Sequence, residues 1–173
     1  MRGPLEEIRF RGRQVHERVL KVVSDLSDEQ LGWRPSPRAH SIGWTLWHVA
    51  RADDNVVFDL TGISRWQRGG YPARWGHPER GAGTGWDDEA AASLPLPPRD
   101  ELVAFAREIF AAADTARDAL DERHYGDRIE SRFMSERSTR GEVVMTELVH
   151  DNRHLGELEY IKGLLGLRGT ATR

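Results

Sequence analysis

The sequence has no cysteine and only two lysines among its 173 residues, and it has no long apolar run. The absence of cysteine excludes disulfides, zinc–thiolate sites and a cysteine nucleophile. No apolar stretch approaches the roughly 20 residues that a membrane-spanning helix needs. The net charge of −3 gives no attraction to nucleic acid or to an anionic membrane. We therefore expect neither of these as a partner.

The amino-terminal segment lacks the apolar core of a signal peptide, so the cytoplasm is the expected location. Hydrophobic residues make up 38% of the chain and charged residues 31%, which is typical of a folded globular protein. A chain of this length can bury a core without disulfides or other cross-links, and residues 1–173 are predicted to form a single domain.

Four segments carry apolar residues at helical spacing. They run from Leu5 to Leu26, from about Ser41 to Leu60, from Arg99 to Leu120, and from Thr139 to about Leu165. Because no segment alternates convincingly as a strand would, the pattern predicts an all-α four-helix bundle. The short link between the first two helices predicts antiparallel neighbours. The long link between the second and third allows a crossover, which would leave those two helices parallel.

The long connection Arg65–Pro98 is rich in glycine and proline, but it carries Trp66, Trp75 and Trp86. Tryptophans argue against disorder, and loops on a rigid scaffold commonly carry binding residues. We predict that this connection folds over one end of the bundle and forms a wall of a pocket. The alternative is that it packs along the outside of the bundle or into a dimer partner.

Two histidines, His150 and His154, lie one helical turn apart and can bind one metal ion together. A solvated or hydrogen-bonded pair is the alternative. Both replace core residues in an apolar stripe, where polar rings without partners are costly. His48 faces inward from the second helix. Three imidazoles from facing helices would leave coordination positions open, as in catalytic metal sites. A divalent transition metal is therefore expected, with zinc first and nickel, iron or manganese as alternatives.

Two runs of sequence carry a family resemblance. Ser41–Arg51 resembles the second helix of the DinB/YfiT-like superfamily of metal-binding bundles, and His150–Leu158 followed by Gly163–Gly166 resembles its last helix. The resemblance extends over nearly the whole chain. It implies a four-helix bundle with a crossover, often dimeric, whose metal is held by three histidines: His48, His150 and His154.

The remaining polar candidates have weaker signals. His77 is predicted to be a solvated loop residue, although it could approach the site, and three other histidines are predicted at the surface: His16, His40 and His124. Four residues are expected to have a plain surface or packing role, with orientation of the metal-binding rings as the alternative: Asn55, Glu147, Asp151 and Glu157. Arg51 is expected to be an ordinary surface arginine, and a role in holding an anionic group is the alternative. Trp44 and Trp47 are expected to pack the bundle.

A metal with open positions can polarise a carbonyl or lower the pKa of bound water or a thiol. Members of the resembled superfamily include transferases and isomerases that use mycothiol or bacillithiol. The resemblance therefore implies a metal-dependent enzyme of the thiol-transferase type, which acts on a small electrophile with a low-molecular-weight thiol as cosubstrate. The alternative is a stress-related metal-binding bundle without catalysis, and a third option is a bundle whose histidines bind no metal.

Overall fold

The computed structural model describes residues 2–170. Within that range the chain is mostly helical, with one small hairpin, which confirms the all-α prediction. The elements follow in the order α1 (Pro4–Val23), α2 (Asp28–Gly32), α3 (Ile42–Thr61), α4 (Arg65–Arg68), α5 (Tyr71–Trp75), α6 (Asp88–Ser93), α7 (Arg99–Asp118), a 3-10 turn (Glu122–His124), β1 (Arg128–Ser131), β2 (Glu136–Thr139) and α8 (Arg140–Leu164). None of the described helices is both long and apolar enough to cross a membrane.

The bundle consists of α1, α3, α7 and α8. Both α1 and α3 pack against α7 and α8, so α1 and α3 occupy opposite corners. The expectation that the first two long helices are neighbours is therefore wrong. Arg9, near the start of α1, donates to the carbonyl of Leu120 just beyond α7 at 2.6 Å, so these two helices are antiparallel. The link after α1 contains α2, which packs against α3 and leaves α1 on the far side.

The crossover between α3 and α7 is present as predicted. Leu96, just before α7, packs against Gly43 at the start of α3. At the other end, Leu60 and Ala116 line one cleft near the carboxyl termini of both helices. The two helices are therefore parallel, and α4, α5 and α6 lie in the connection between them.

Side-chain caps fix where several helices begin. Ser41 accepts a hydrogen bond from the backbone N–H of Trp44, and Thr139 forms a reciprocal capping box with Glu142, as the sequence predicts. Helix α1 ends at Val23 rather than at Leu26, although Leu26 is still buried in the core.

The β1–β2 hairpin was not expected from the sequence. Its strands pair antiparallel with Arg128 opposite Thr139. The Asp59 carboxylate on α3 accepts hydrogen bonds from Ser131 Oγ and from the backbone N–H groups of Arg132 and Phe133. Because this anchor comes from a distant helix, the local sequence pattern does not reveal it. It holds the hairpin turn beside the amino-terminal half of α8.

A buried carboxylate also anchors the long connection. Asp54 accepts hydrogen bonds from the Ser64 hydroxyl, from the backbone of Arg65 and Trp66, and from the guanidinium of Arg51. Arg51 is only 1% exposed, so the expectation of a surface arginine is wrong. An aromatic cluster then packs the connection onto α7; it comprises Trp66, Tyr71, Trp75 and Phe105.

Candidate metal centre

The three predicted histidines converge within the lengths of α3 and α8, and not at the end of the bundle where the pocket was expected from the sequence. His48 extends from α3, and His150 and His154 extend from one face of α8. The Nε2 atoms of His48 and His150 lie 3.1 Å apart, and one ring nitrogen from each of the three lies within 4.8 Å of the others. Nitrogens that share an ion at 2.0–2.1 Å are separated by about 3.0–3.4 Å. The arrangement therefore has the spacing of a coordination site.

The other nitrogen of each ring has an oxygen partner. Nδ1 of His48 lies 2.5 Å from the Ala82 carbonyl, Nδ1 of His150 lies 3.2 Å from Asp151 Oδ1, and Nδ1 of His154 lies 2.7 Å from Glu157 Oε2. These acceptors favour the tautomer with its proton on Nδ1, so that each Nε2 carries a lone pair for a ligand bond. At His154 that lone pair faces Nη2 of Arg153 at 3.2 Å, and this guanidinium must move when a metal binds. Three neutral imidazoles prepared in this way fit a divalent transition metal.

Of the four candidates for orienting the metal-binding rings, two contact those rings. Asp151 and Glu157 contact the rings, whereas Glu147 pairs with Arg117 at 2.8 Å and Asn55 lines the pocket wall. The Ala82 carbonyl was missed. A backbone oxygen has no signature in the sequence, since every residue carries one.

Burial and neighbouring groups set the charge state of the site. Burial lowers the pKa of His48 to about 4, the nearby rings of His154 and His150 act in the same direction, and the hydrogen bond to Ala82 offsets them only in part. The hydrogen bond from His154 lowers the pKa of the Glu157 carboxyl below its ordinary value. At neutral pH His48 is therefore uncharged and Glu157 is anionic, as metal binding requires.

A cavity of about 550 Å³ opens onto the histidines. One wall is the segment Gly81–Trp86, and the hairpin turn Arg132–Ser135 forms another. Gly83 has φ +87°, and a Cβ there would lie 2.8 Å from the Trp44 ring, so the segment packs tightly on α3. The predicted pocket wall is thus formed by part of the long connection.

Only one tryptophan of that connection reaches the pocket. Trp86 lines it together with Trp44, whose ring stacks on His48 at 5.0 Å. Trp66 and Trp75 lie in the aromatic cluster on α7 instead, so the prediction is right for Trp86 and wrong for the other two. Trp47 packs in the core beside Trp44, as expected.

Two arginines make the pocket positive. Arg132 and Arg153 both line it, and within residues 2–170 no carboxylate lies within 4.0 Å of either guanidinium. The Arg132 guanidinium lies over the Phe58 ring, and Nη2 of Arg153 lies 3.2 Å from Nε2 of His154. Unpaired guanidinium groups at a pocket wall favour an anionic ligand.

The other histidines divide into buried and exposed positions. His16 and His77, both expected at the surface, are buried; His16 faces carboxylates inside the bundle, and Nε2 of His77 lies 2.6 Å from the Pro95 carbonyl. His40 is half-buried and stacks on Trp44 at the pocket edge, whereas His124 is exposed as predicted.

Comparison with known proteins gives one family and several similar folds. The sequence matches the profile of the DinB superfamily over residues 11–158. No curated protein matches the sequence significantly. A conserved protein from Enterococcus faecalis has a similar structure with a TM-score of 0.81 and 18% identity, covering 96% of this chain and 99% of that one. A DinB-like protein from Bacillus cereus follows with a TM-score of 0.64 and 18% identity over 93% and 92%.

A third solved structure is a mutant of a mycothiol-dependent maleylpyruvate isomerase, with a TM-score of 0.59 and 16% identity. The match covers 90% of this chain and 61% of the isomerase. At these low identities each structure shows a shared fold and no more.

Proposed function

Since the chain belongs to the DinB superfamily, we propose that His48, His150 and His154 bind one divalent transition metal, zinc first, with nickel, iron and manganese as alternatives. One observation carries this proposal. The three rings offer nitrogens within 4.8 Å of one another, while an oxygen partner holds the opposite nitrogen of each. A packing role for two buried imidazoles and the half-buried His150 would not require their Nε2 atoms to converge.

We further propose that the protein transfers a low-molecular-weight thiol to a small electrophile. When bound, the metal would supply Lewis-acid chemistry that lowers the pKa of a thiol. Because the chain has no cysteine, the thiol must come from a cosubstrate. A thiol-dependent isomerase among the similar folds supports this reaction class.

The pocket residues supply binding and orientation for that reaction. Trp44 and Trp86 give the cavity apolar surface, which excludes water from the histidines. Arg132 and Arg153 have no carboxylate within 4.0 Å in the described part of the chain. Arg153 contacts Nε2 of His154 at 3.2 Å, and both guanidinium groups can hold an anionic group of the substrate. The substrate class that fits is therefore a small anionic electrophile.

This pocket supports an enzyme over a stress-related bundle that only binds metal. A non-catalytic site needs the histidines alone, whereas a cavity of about 550 Å³ with two arginines at its walls provides room and charge for a small molecule.

The test is metal analysis followed by thiol titration. Protein purified without an affinity tag should contain metal, and His48→Ala should lose one equivalent of it. In the cobalt-substituted protein, adding mycothiol or bacillithiol should produce a thiolate-to-cobalt absorption band. An analogue with serine in place of the cysteine moiety, and His48→Ala with the natural thiol, are the controls.

The outcomes separate the two parts of the proposal. A spectrum unchanged by both thiols would overturn the thiol-transferase part and leave the metal site standing. Equal metal content in wild type and His48→Ala would overturn the metal site itself.

A further inference from the structure

A second cluster of polar side chains lies in the interior of the bundle, beneath the histidine site. It comprises His16 from α1, Asp53 from α3, and Glu147 and Asp151 from α8, all no more than 2% exposed. One potential ligand atom from each lies within 4.8 Å of the others. The histidine site uses only Asp151 from this cluster, through its Oδ1 atom.

The cluster holds more carboxylates than permanent positive charges. Arg117 pairs with Glu147 at 2.8 Å and with Asp114 at 2.8 Å, so one guanidinium serves two carboxylates. Asp53 and Asp151 then have only His16 between them. Burying carboxylates without compensating charge is costly, so this region must take up either protons or a cation. Burial raises the pKa of Asp53 and of Glu147. Against the effect of burial, the neighbouring carboxylates raise the pKa of His16, and His150 and His16 lower the pKa of Asp151, so a protonated His16 is the alternative to a bound cation.

The geometry favours a cation. His16 Nε2 lies 3.0 Å from Asp53 Oδ2 and 3.4 Å from Asp151 Oδ2, which matches the separation of about 3.0–3.4 Å between ligands on one ion. Among the described residues, neither His16 nitrogen, neither Asp53 oxygen nor Asp151 Oδ2 has a partner with hydrogen-bond geometry, although all of them are buried. These atoms face one another, but they do not form hydrogen bonds with one another.

The surroundings of His16 also suit a metal ligand. Its Nδ1 lies 3.0 Å from Asp114 Oδ1, and Asp114 is held by Arg117. A carboxylate behind the far nitrogen of a histidine is the usual support for a metal-bound ring; Asp114 occupies that position, although its present angle to Nδ1 is not that of a hydrogen bond. The Phe110 ring stacks on the other side at 4.4 Å and fixes the plane of the imidazole.

We propose that His16, Asp53, Glu147 and Asp151 form a second divalent-cation site. A set of three carboxylates and one imidazole is harder than the three-histidine set, so manganese(II) or iron(II) is the expected class of ion. Asp151 would connect the two sites, since Oδ1 faces His150 and Oδ2 faces this cluster. A cation here would hold that carboxylate in the orientation that supports His150.

The experiment counts and locates bound manganese. Wild-type protein is loaded with manganese chloride, dialysed and analysed by elemental mass spectrometry. We expect two ions per chain in wild type, one in His48→Ala, and one in Asp53→Asn or His16→Gln. His124→Gln, which changes an exposed histidine, is the matched control and should keep two. Crystals of the loaded wild type should show an anomalous peak between His16 and Asp53.

The alternative is that the cluster holds protons. Wild-type protein that binds one ion, lost in His48→Ala, with no anomalous peak in the cluster would overturn the second site. An ion that persists in His48→Ala and is lost in Asp53→Asn would support it even if the histidine site failed. Asp53→Asn and His16→Gln preserve side-chain shape, and the wild-type measurement does not depend on their folding.

Discussion

At the scale of single residues, His154 gives the most direct test of the three-histidine site. Its ring lies at the pocket surface with Nδ1 held by Glu157, so His154→Ala should still fold. It should lose the zinc-dependent stabilisation from this site, about 2.7 kcal/mol when free zinc is 100 times Kd. Thermal unfolding of wild type and variant, with zinc or with a chelator, measures the difference.

The control for His154→Ala is His124→Ala. His124 is exposed, its Nδ1 lies 2.8 Å from the exposed Asp127, and it is not part of the histidine site, so this variant should keep the full zinc-dependent gain. If His154→Ala kept the wild-type gain as well, His154 would not be a ligand.

The sequence identified the histidines that replace apolar residues in a stripe, because that substitution is visible in the helical pattern. It did not identify His16 or Arg51 as buried. The partners of His16 come from three other helices, and Arg51 donates to Asp54 and to the Gly81 carbonyl of a distant loop. Burial of such residues depends on the tertiary arrangement, which no local pattern encodes.

At the scale of structural elements, the segment Gly81–Trp86 controls the orientation of His48. Gly83→Ala would place a Cβ 2.8 Å from the Trp44 ring and 3.1 Å from the Trp47 ring, so it should push the segment and the Ala82 carbonyl away from His48. Loss of such an orienting contact typically lowers metal affinity 10–100-fold. Competition with a fluorescent zinc chelator measures that affinity.

Gly85→Ala provides the matched control. Gly85 also has a positive φ, +79°, but a Cβ there meets nothing within 4 Å. Both variants therefore carry the same kind of backbone strain, and only Gly83→Ala should weaken zinc binding strongly. Equal affinities in the two variants would mean that the Ala82 contact does not position His48.

Helix α1 approaches α7 closely at Gly12. A Cβ at this position would lie 2.1 Å from Nη1 of Arg117, a side chain that is 1% exposed and paired with Glu147. Gly12→Ala should displace the guanidinium and leave Glu147 unpaired, which costs about 2–4 kcal/mol after the helix-propensity gain of alanine. Urea unfolding of the metal-free protein measures this loss.

The comparison for Gly12→Ala is Gly156→Ala on the exposed face of α8, where an added Cβ meets nothing within 4 Å. Alanine there should stabilise the protein by about 0.5–1 kcal/mol, since glycine is unfavourable in a helix. A stabilising Gly12→Ala would show that Arg117 moves without leaving Glu147.

The sequence predicted the long helices and their caps well, because apolar spacing and capping boxes are local signals. The β1–β2 hairpin and the short helices α4 and α5 were not predicted from the sequence. Asp59 holds the hairpin and Asp54 holds the start of the long connection, and both belong to α3. These anchors lie 10 to 74 residues away from the groups they bind in the hairpin and the connection, so only the assembled bundle specifies the elements that wall the pocket.

At the scale of the whole molecule, one ion pair joins the end of α8 to the end of α1. Nζ of Lys162, which is buried, donates to the Val22 carbonyl at 2.8 Å and to Asp25 Oδ1 at 2.6 Å. This hydrogen bond lowers the pKa of Asp25 below its ordinary value of 3.8. Its stabilising contribution should be complete above that value and should disappear as the pH falls through the lower, folded-state pKa.

Wild type should therefore exceed Asp25→Asn in stability by about 1 kcal/mol at pH 6, because the carboxylate is largely exposed and screened. The difference should vanish toward pH 2. Urea unfolding of both proteins across that range measures it, and a difference that is constant with pH would assign the effect to packing rather than charge.

The outer face of α8 bears on self-association. Four exposed apolar residues share that face at helical spacing, namely Met145, Val149, Tyr160 and Leu164. We predict that two copies of the chain associate through it. Light scattering should show a dimer that Val149→Glu with Tyr160→Glu converts to a monomer. A wild-type monomer at high micromolar concentration would contradict the prediction.

The contact between His48 and the Ala82 carbonyl has a consequence for which residues of the pocket wall can be substituted. Every amino acid carries a main-chain oxygen, so the side chain at position 82 is not what aligns the His48 ring; in this segment the packing of Gly83 on Trp44 constrains that alignment. Substitutions at Thr84 and Trp86, whose side chains line the cavity, would reshape the space for the substrate and leave that alignment intact. Substitutions at these two positions can therefore change which substrates the pocket accepts, and the three histidines keep their arrangement.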